Sequence, residues 1–409
     1  MKRRSFLKGG IALGILPLVP VLPNGLPTPP PALPILLPTV PPSGSSLTSG
    51  TTPTRILGVV GPQSGIGTEQ QRQLVDGVRA ALAEANTVRG ALDPLLDCHL
   101  FDDGGDPLQA EAAAQSCVDD ASVIGTIGHL SGTTTLAARQ TYVRAGMPLL
   151  IPIATLDRLT TQGYTNLIRL ATRDTLEGDL FASDLIKRNL LERVAVIRTT
   201  ESYGTEVGAA FAARCRHERI TVTEWLMPTD AQKRADMVTA LLATSPEHCY
   251  LAGTPEHLGD IATLLRSGGY RGAFLAPQSF FEGGTISQYG TALADMLISS
   301  SIPPFQRAPI NAIPLADFAS SYGTMTPIAA FGYAAAQIAV AAIRRGAAVD
   351  RPSLLRALRD GSSTSTIVGD FAFTPFGDPT DPNLFLYRIV GQEWRYERSL
   401  HPTSFSITA

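Results

Sequence analysis

Three stretches of this chain carry residue types and spacings that could do chemistry. The first, Gly58-Val59-Val60-Gly61-Pro62-Gln63-Ser64-Gly65, leaves an apolar run and approaches a helical one, the setting in which glycine-rich loops hold phosphates. It lacks the Gly-Lys-Ser/Thr ending of a P-loop and the G-x-G-x-x-G spacing of a dinucleotide site. Its glycines read instead as the sharp turn of a strand end at a cleft rim. The second is His129 with Ser131, which as alternate residues of an extended strand can share a face as base and nucleophile. No G-x-S-x-G elbow surrounds the serine and no acidic orienter is recognisable, so the expectation is no catalytic residue and a hydrogen-bonded structural His129. The third is Gly128-His129-Leu130-Ser131-Gly132-Thr133-Thr134-Thr135, where a strand's carboxyl end meets a helix start. Backbone N–H groups and hydroxyls converge there, and the helix N-terminus favours a ligand carboxylate without any arginine. Ser131 or Thr133 also suits a helix cap, and both roles are compatible.

The elements that position these residues are legible in the pattern. From Arg55 to Val60, Asp97 to Phe101 and Val123 to Ile127, short apolar runs alternate with helical-period stretches at Glu69 to Asn86 and Pro107 to Asp119. This is βαβαβ, the mark of a parallel sheet. The series continues through a helix near Thr134 to Ala145 and strands at Pro148 to Pro152 and Leu167 to Leu170. A second series follows: strands Val194 to Ile197, Thr221 to Leu226, His248 to Ala252 and Ala273 to Ala276, with helices Thr175 to Asn189, Gly204 to His217 and Ala231 to Ala243. Two doubly wound parallel-sheet lobes are implied. Ile298 to Phe305 reads as a return crossing before helices Pro327 to Arg345 and Pro352 to Asp360. Gly369 to Thr374 and Leu384 to Ile389 read as strands that could recross, and three crossings make a multi-strand hinge. The expected division is 54–172 with 302–360 for lobe one and 173–301 with 361–409 for lobe two.

With 409 residues, 44% apolar and 17% charged, the chain can bury a sizeable core. A net charge of -3 spread over interleaved acids and bases suggests neither a nucleic-acid surface nor a polybasic membrane patch. Lys2-Arg3-Arg4-Ser5-Phe6-Leu7-Lys8 before the apolar Ile11 to Leu22 resembles a twin-arginine export signal, with Lys2 where Ser or Thr is usual; an ordinary secretory n-region is the alternative. The apolar run is short and broken by Pro17 and Pro20, which argues for cleavage over a permanent span. The expectation is an exported, periplasmic protein with a signal at 1–22 and a Pro-rich solvated tether at 23–53. Four cysteines, Cys98, Cys117, Cys215 and Cys249, permit two disulfides, paired within lobes if oxidised, or stay as buried thiols. Their spacing is not that of a zinc site, and no metal or cofactor is implied.

Six motifs carry a family resemblance: Gly61-Pro62-Gln63-Ser64-Gly65, Asp102-Asp103-Gly104-Gly105-Asp106-Pro107, Gly128-His129-Leu130-Ser131, Pro152-Ile153-Ala154-Thr155, Gln162-Gly163-Tyr164 and Ser202-Tyr203-Gly204. In order and spacing they resemble those of branched-chain amino-acid-binding proteins, from Arg55 to about Val390. The resemblance implies the type I periplasmic-binding fold and delivery of a small molecule to an ABC permease, by a monomer that closes about its hinge. It further implies that Ser131, Gly132 and Thr133 surround a ligand carboxylate, with Ile153, Ala154 and Thr155, while Tyr203 approaches from the second lobe. Two positions depart from the family: Thr254 replaces an aromatic, and Gln278 stands where the acid for a ligand ammonium belongs. A buried ammonium needs a counter-charge. Either Glu282 or Glu201 supplies it, or the ligand lacks an α-ammonium, the reading these departures favour. A sensing or regulatory module of the same fold is the alternative to transport.

Overall fold

The computed structural model describes residues 53–400 apart from 92, 282 and 383. The expected export signal and all but the last residue of the tether lie outside the described residues. The first series of elements is β1 (Thr54–Gly61), α1 (Thr68–Thr87), β2 (Leu95–Asp102), α2 (Pro107–Asp119), β3 (Val123–Gly128), α3 (Gly132–Arg144), β4 (Leu149–Ile151) and β5 (Leu167–Arg169). The second is α4 (Asp174–Lys187), β6 (Arg193–Arg198), α5 (Ser202–His217), β7 (Thr221–Leu226), α6 (Ala231–Ala243), β8 (His248–Ala252), α7 (Pro255–Ser267), β9 (Ala273–Ala276), α8 (Gly283–Tyr289) and β10 (Leu297–Ser300). The chain then runs through α9 (Ala312–Tyr322), α10 (Pro327–Gly346), α11 (Arg351–Leu358), β11 (Thr364–Thr366), β12 (Gly369–Phe371), β13 (Phe385–Val390) and β14 (Glu393–Ser399).

The first sheet is parallel in the order β2-β1-β3-β4-β5. The second repeats that winding as β7-β6-β8-β9-β10, then adds β13 and β14 antiparallel at its far edge. In each, the strand order reverses beside the first strand of the series, and the crevice at the strands' carboxyl ends there is where such sheets bind ligands. Side-chain alternation explains the two covered faces. Leu57 and Val59 join one cluster with α1 and α10, whereas Ile56 and Val60 join another with α2 and α3. Likewise Ala195 and Ile197 pack on α6 and α7, and Val194 and Val196 on α4 and α5.

Helix α10 lies against α1 at backbone distance. A Cβ on Gly77 would sit 2.0 Å from the Ala329 carbonyl oxygen, and one on Gly332 would sit 2.5 Å from that of Leu74. Small residues suit this close approach, and the alanines of α10 from Ala329 to Ala339, with Ala342, are almost wholly buried. The helix begins at Thr326, whose hydroxyl accepts from the Ala329 amide at 3.2 Å and donates to Gln73 on α1 at 2.8 Å.

Two details differ from the sequence reading. Residues 364–371 do not belong with the second lobe: β11 and β12 pair only with each other, and Ile367, Val368 and Phe371 bury themselves in the first lobe's cluster. A short β-rich run gives no hint of its partner, and here the recrossing starts after the hairpin. The return crossing at Ile298 to Phe305 starts later too, since Leu297–Ser300 is a paired strand of the second sheet. All four cysteines are free thiols, and burial pushes Cys117 up to about 11 and Cys215 and Cys249 up to about 12.

The crossings are tied to one another. Arg169, fully buried at the end of β5, donates Nε and Nη2 to Asp378 at 3.0 and 2.7 Å and Nη1 to the carbonyls of Thr155 and Leu156 at 2.7 and 2.9 Å. The Arg169 amide donates to Gly377 O at 2.8 Å, and the Thr172 amide to Ser301 Oγ at 3.0 Å.

Candidate functional site

The loops at the strands' carboxyl ends enclose a cavity of about 670 Å³. From the first lobe come Leu130, Ser131 and Gly132 after β3 and Ile153, Ala154 and Thr155 after β4. From the second come Tyr203 at the start of α5 and Gln278, Ser279 and Phe281 after β9; Ala171, Ser301 and Ile302 of the crossings form its back. The start of α10 contributes Thr326, Pro327, Ile328 and Phe331, and α1 contributes Glu69, Gln70 and Gln73. Polar groups thus converge on a mostly apolar chamber, the usual make-up of a small-molecule site.

The donor end is built by α3. Ser131 is its N-cap: the hydroxyl accepts from the Thr134 amide at 3.1 Å and lies 2.8 Å from Thr134 Oγ1. The amides of Gly132 and Thr133, in the helix's first turn, have no intrahelical acceptor and add to its positive end. Ser131 therefore caps the helix and faces the cavity at once. Gly132 has a packing reason for lacking a side chain, because a Cβ there would lie 2.7 Å from that of Leu156. Thr133 is not among the lining residues; it is exposed, with its hydroxyl turned 3.1 Å from that of Ser131.

On the opposite wall, Gln278 Oε1 accepts from the Ser301 amide at 3.2 Å, which fixes the carboxamide with its NH₂ as the unengaged end. Gln278 thus presents a donor at the cavity wall. Its own amide donates to Glu177 Oε1 at 2.8 Å, as does Ser299 Oγ at 2.8 Å. Glu177, on α4, is wholly buried, and that burial pushes its carboxyl up to about 7. One turn earlier Asp174, also buried and hydrogen-bonded by Thr155, is pushed well above the carboxylate range by burial and by the neighbouring acids. The Tyr203 hydroxyl accepts from the Ser279 amide at 3.3 Å.

Thr254 is also outside the cavity lining; it holds the N-cap position of α7 without a side-chain capping bond, and its hydroxyl lies 3.2 Å from His257 Nδ1. Glu201 turns to the same histidine, 3.8 Å from Nε2, and does not line the cavity; Glu282 lies outside the described residues. Glu69 is the only carboxylate in the described lining, and its hydrogen bonds to Arg72 hold it down at about 2. His129 is fully buried, with Nδ1 2.5 Å from Asp103 Oδ2 and Nε2 3.1 Å from the Tyr142 hydroxyl. Ser131 has no bond to it, so no nucleophile and base are paired there. The sequence reading did not single out Glu177, Asp174 or the start of α10. Acids in the first turn of a helix are ordinarily solvent-facing dipole partners, and nothing local marks these two as buried.

The sequence profile of the periplasmic binding protein family matches residues 56–393. The Leu/Ile/Val-binding protein BraC3 of Rhizobium johnstonii is 25% identical over 340 residues, 81% of this chain and 90% of its own length. In structure, the leucine binding protein of Thermotoga maritima superposes with a TM-score of 0.75 at 20% identity, covering 85% of this chain and 99% of that one. A solute binding protein of Rhodopseudomonas palustris in complex with benzoate gives 0.71 at 16% identity, covering 86% and 97%. With two doubly wound sheets facing one cavity and a profile match over most of its length, this chain belongs to the periplasmic binding protein family.

Proposed function

We propose that this chain captures a small carboxylate-bearing solute in the cavity between its lobes and delivers it to an ABC importer. The observation that carries the reading is the donor end of α3, where Ser131 and Gly132 line the cavity at a helix's positive pole. Thr155 and the backbone at Ile153 and Ala154 complete the carboxylate end, and Tyr203 and Gln278 stabilise the closed lobes from the other side. Closure follows from contacts that the solute makes with both lobes at once.

An amino acid is the first ligand to try, since the relatives are named for leucine, isoleucine and valine. Its ammonium would rest near Gln278 and draw on the carboxylate form of Glu177 behind the wall, whose carboxyl burial raises to about 7. The second reading, a carboxylate without an ammonium, is favoured by the Gln278 NH₂, a donor that cannot pair with another donor.

Titration calorimetry with leucine, isoleucine, valine and benzoate separates the two. Micromolar binding of an amino acid supports the first reading, and Gln278→Glu then tightens it. Binding of benzoate alone supports the second, and Gln278→Glu then weakens it by burying a carboxylate against a group with no positive charge. A tightly bound co-purifying solute with no acidic group would overturn both.

A further inference from the structure

A second cluster of side chains lies where the chain first crosses between lobes, outside the cavity lining. Asp157, in the loop after β4, Asp174, the first residue of α4, and Glu206, on α5, each bring a carboxylate oxygen within 4.8 Å of the others. Asp157 belongs to the first lobe and the other two to the second. Asp174 is 1% exposed, yet its Oδ1 has no hydrogen-bond partner among the described residues.

Three carboxylates this close, one sealed from water, repel one another, and local donors compensate them only in part. Asp157 accepts from the Thr175 amide at 3.0 Å and from the Thr175 hydroxyl, and Glu206 Oε2 accepts from the Asp157 amide at 3.3 Å. Arg173 Nε stands 3.9 Å from Asp157 Oδ2. Each carboxylate oxygen has a second lone pair, so these bonds leave acceptor capacity at the centre.

We propose that Asp157, Asp174 and Glu206 form a divalent-cation site that joins the two lobes beside the hinge. Three oxygens within 4.8 Å of one another need to close to roughly 4.2 Å to share one cation at about 2.4 Å, the distance calcium prefers, whereas magnesium at about 2.1 Å would require them to draw in to roughly 3.6 Å. All three donors are hard oxygens, and water fills the remaining positions. Because both lobes contribute, the cation binds the present lobe arrangement more tightly than one with the lobes parted. Cation and solute then reinforce each other's binding by reciprocal linkage.

The test uses the full chain stripped with EDTA and titrated calorimetrically with calcium chloride and magnesium chloride, with no organic solute present. The expected result is one site per chain that prefers calcium. Glu206→Gln and Asp157→Asn each weaken calcium roughly tenfold or more, because affinity follows the count of charged ligands. Glu206 is only half-buried, so its variant should fold even if Asp174→Asn does not. No calcium binding up to about 10 mM, roughly tenfold beyond the weak end of protein calcium sites, overturns the proposal, as does wild-type affinity in both variants. Neither outcome depends on what the cavity holds.

Discussion

Glu177→Gln should make the protein more stable at pH 8 but hardly at pH 5. In the folded chain burial moves the Glu177 carboxyl from 4.5 up to about 7, with the hydrogen bonds from Ser299 and Gln278 working against the shift. Between those values the folded state holds a proton that the unfolded chain has released. Stability is therefore greatest below the unfolded value and falls as pH rises through the window. Each pH unit is worth about 1.4 kcal/mol, so by pH 8 the buried carboxylate has cost about 3 kcal/mol. A glutamine keeps an oxygen for both donors, at 2.8 Å each in the wild type, and does not titrate. Asp174, raised in the same direction, is present in both proteins and cancels to first order in the difference. The assay is urea unfolding of wild type and variant at pH 5 and pH 8. Equal m-values would show that the compared states are unchanged. The variant's advantage should grow by about 2–3 kcal/mol between the two pH values. A gap that stays flat with pH would refute the burial argument, and a variant less stable at pH 8 would show that the carboxylate has a cation partner.

Three further outcomes follow from the geometry. If leucine binds with its ammonium near Glu177, it lowers that carboxyl, so calorimetry at pH 7 in buffers of different ionisation heat should show release of roughly half a proton, and Glu177→Gln should abolish it. Asp378→Ala leaves the buried Arg169 guanidinium without its carboxylate and should cost about 3 kcal/mol in urea unfolding, with Arg169→Met/Asp378→Leu recovering much of the loss. Gly77→Ala drives a methyl into the Ala329 carbonyl and should cost about 1–3 kcal/mol, read as a lower thermal midpoint without change of fold by circular dichroism.

How much was legible depended on whether the signal was local. The βα alternation placed the strands of both parallel sheets except β10 because each is a short apolar run flanked by turn residues, and α2, α6 and β8 fall at the read boundaries, whereas β10 read as a crossing. The cavity's donor end was legible because Ser131 announces a helix start after a strand. Partnership was not legible. The run Gly369 to Thr374 has strand character whichever lobe it joins, and only the packing of Ile367, Val368 and Phe371 shows that it stays with the first. Glu177 and Asp174 look like any acids in a helix's first turn, because their burial comes from β10, Gln278 and Thr155, far away in sequence. Glu201, near the cleft in sequence, is turned by the fold toward His257, while the buried Glu177 accepts from the Gln278 amide.

Helix α10 bears on any route by which the chain would cross a membrane. It is long and apolar enough to cross a membrane by length and composition, and it is hidden against α1 in the finished fold. A translocation channel that threads polypeptide in extended form meets that helix before α1 can shield it, and a lateral exit into lipid then competes with passage. A route that carries proteins already folded never exposes the segment. If the chain is exported, the order of folding and crossing decides whether this helix is read as scaffold or as anchor.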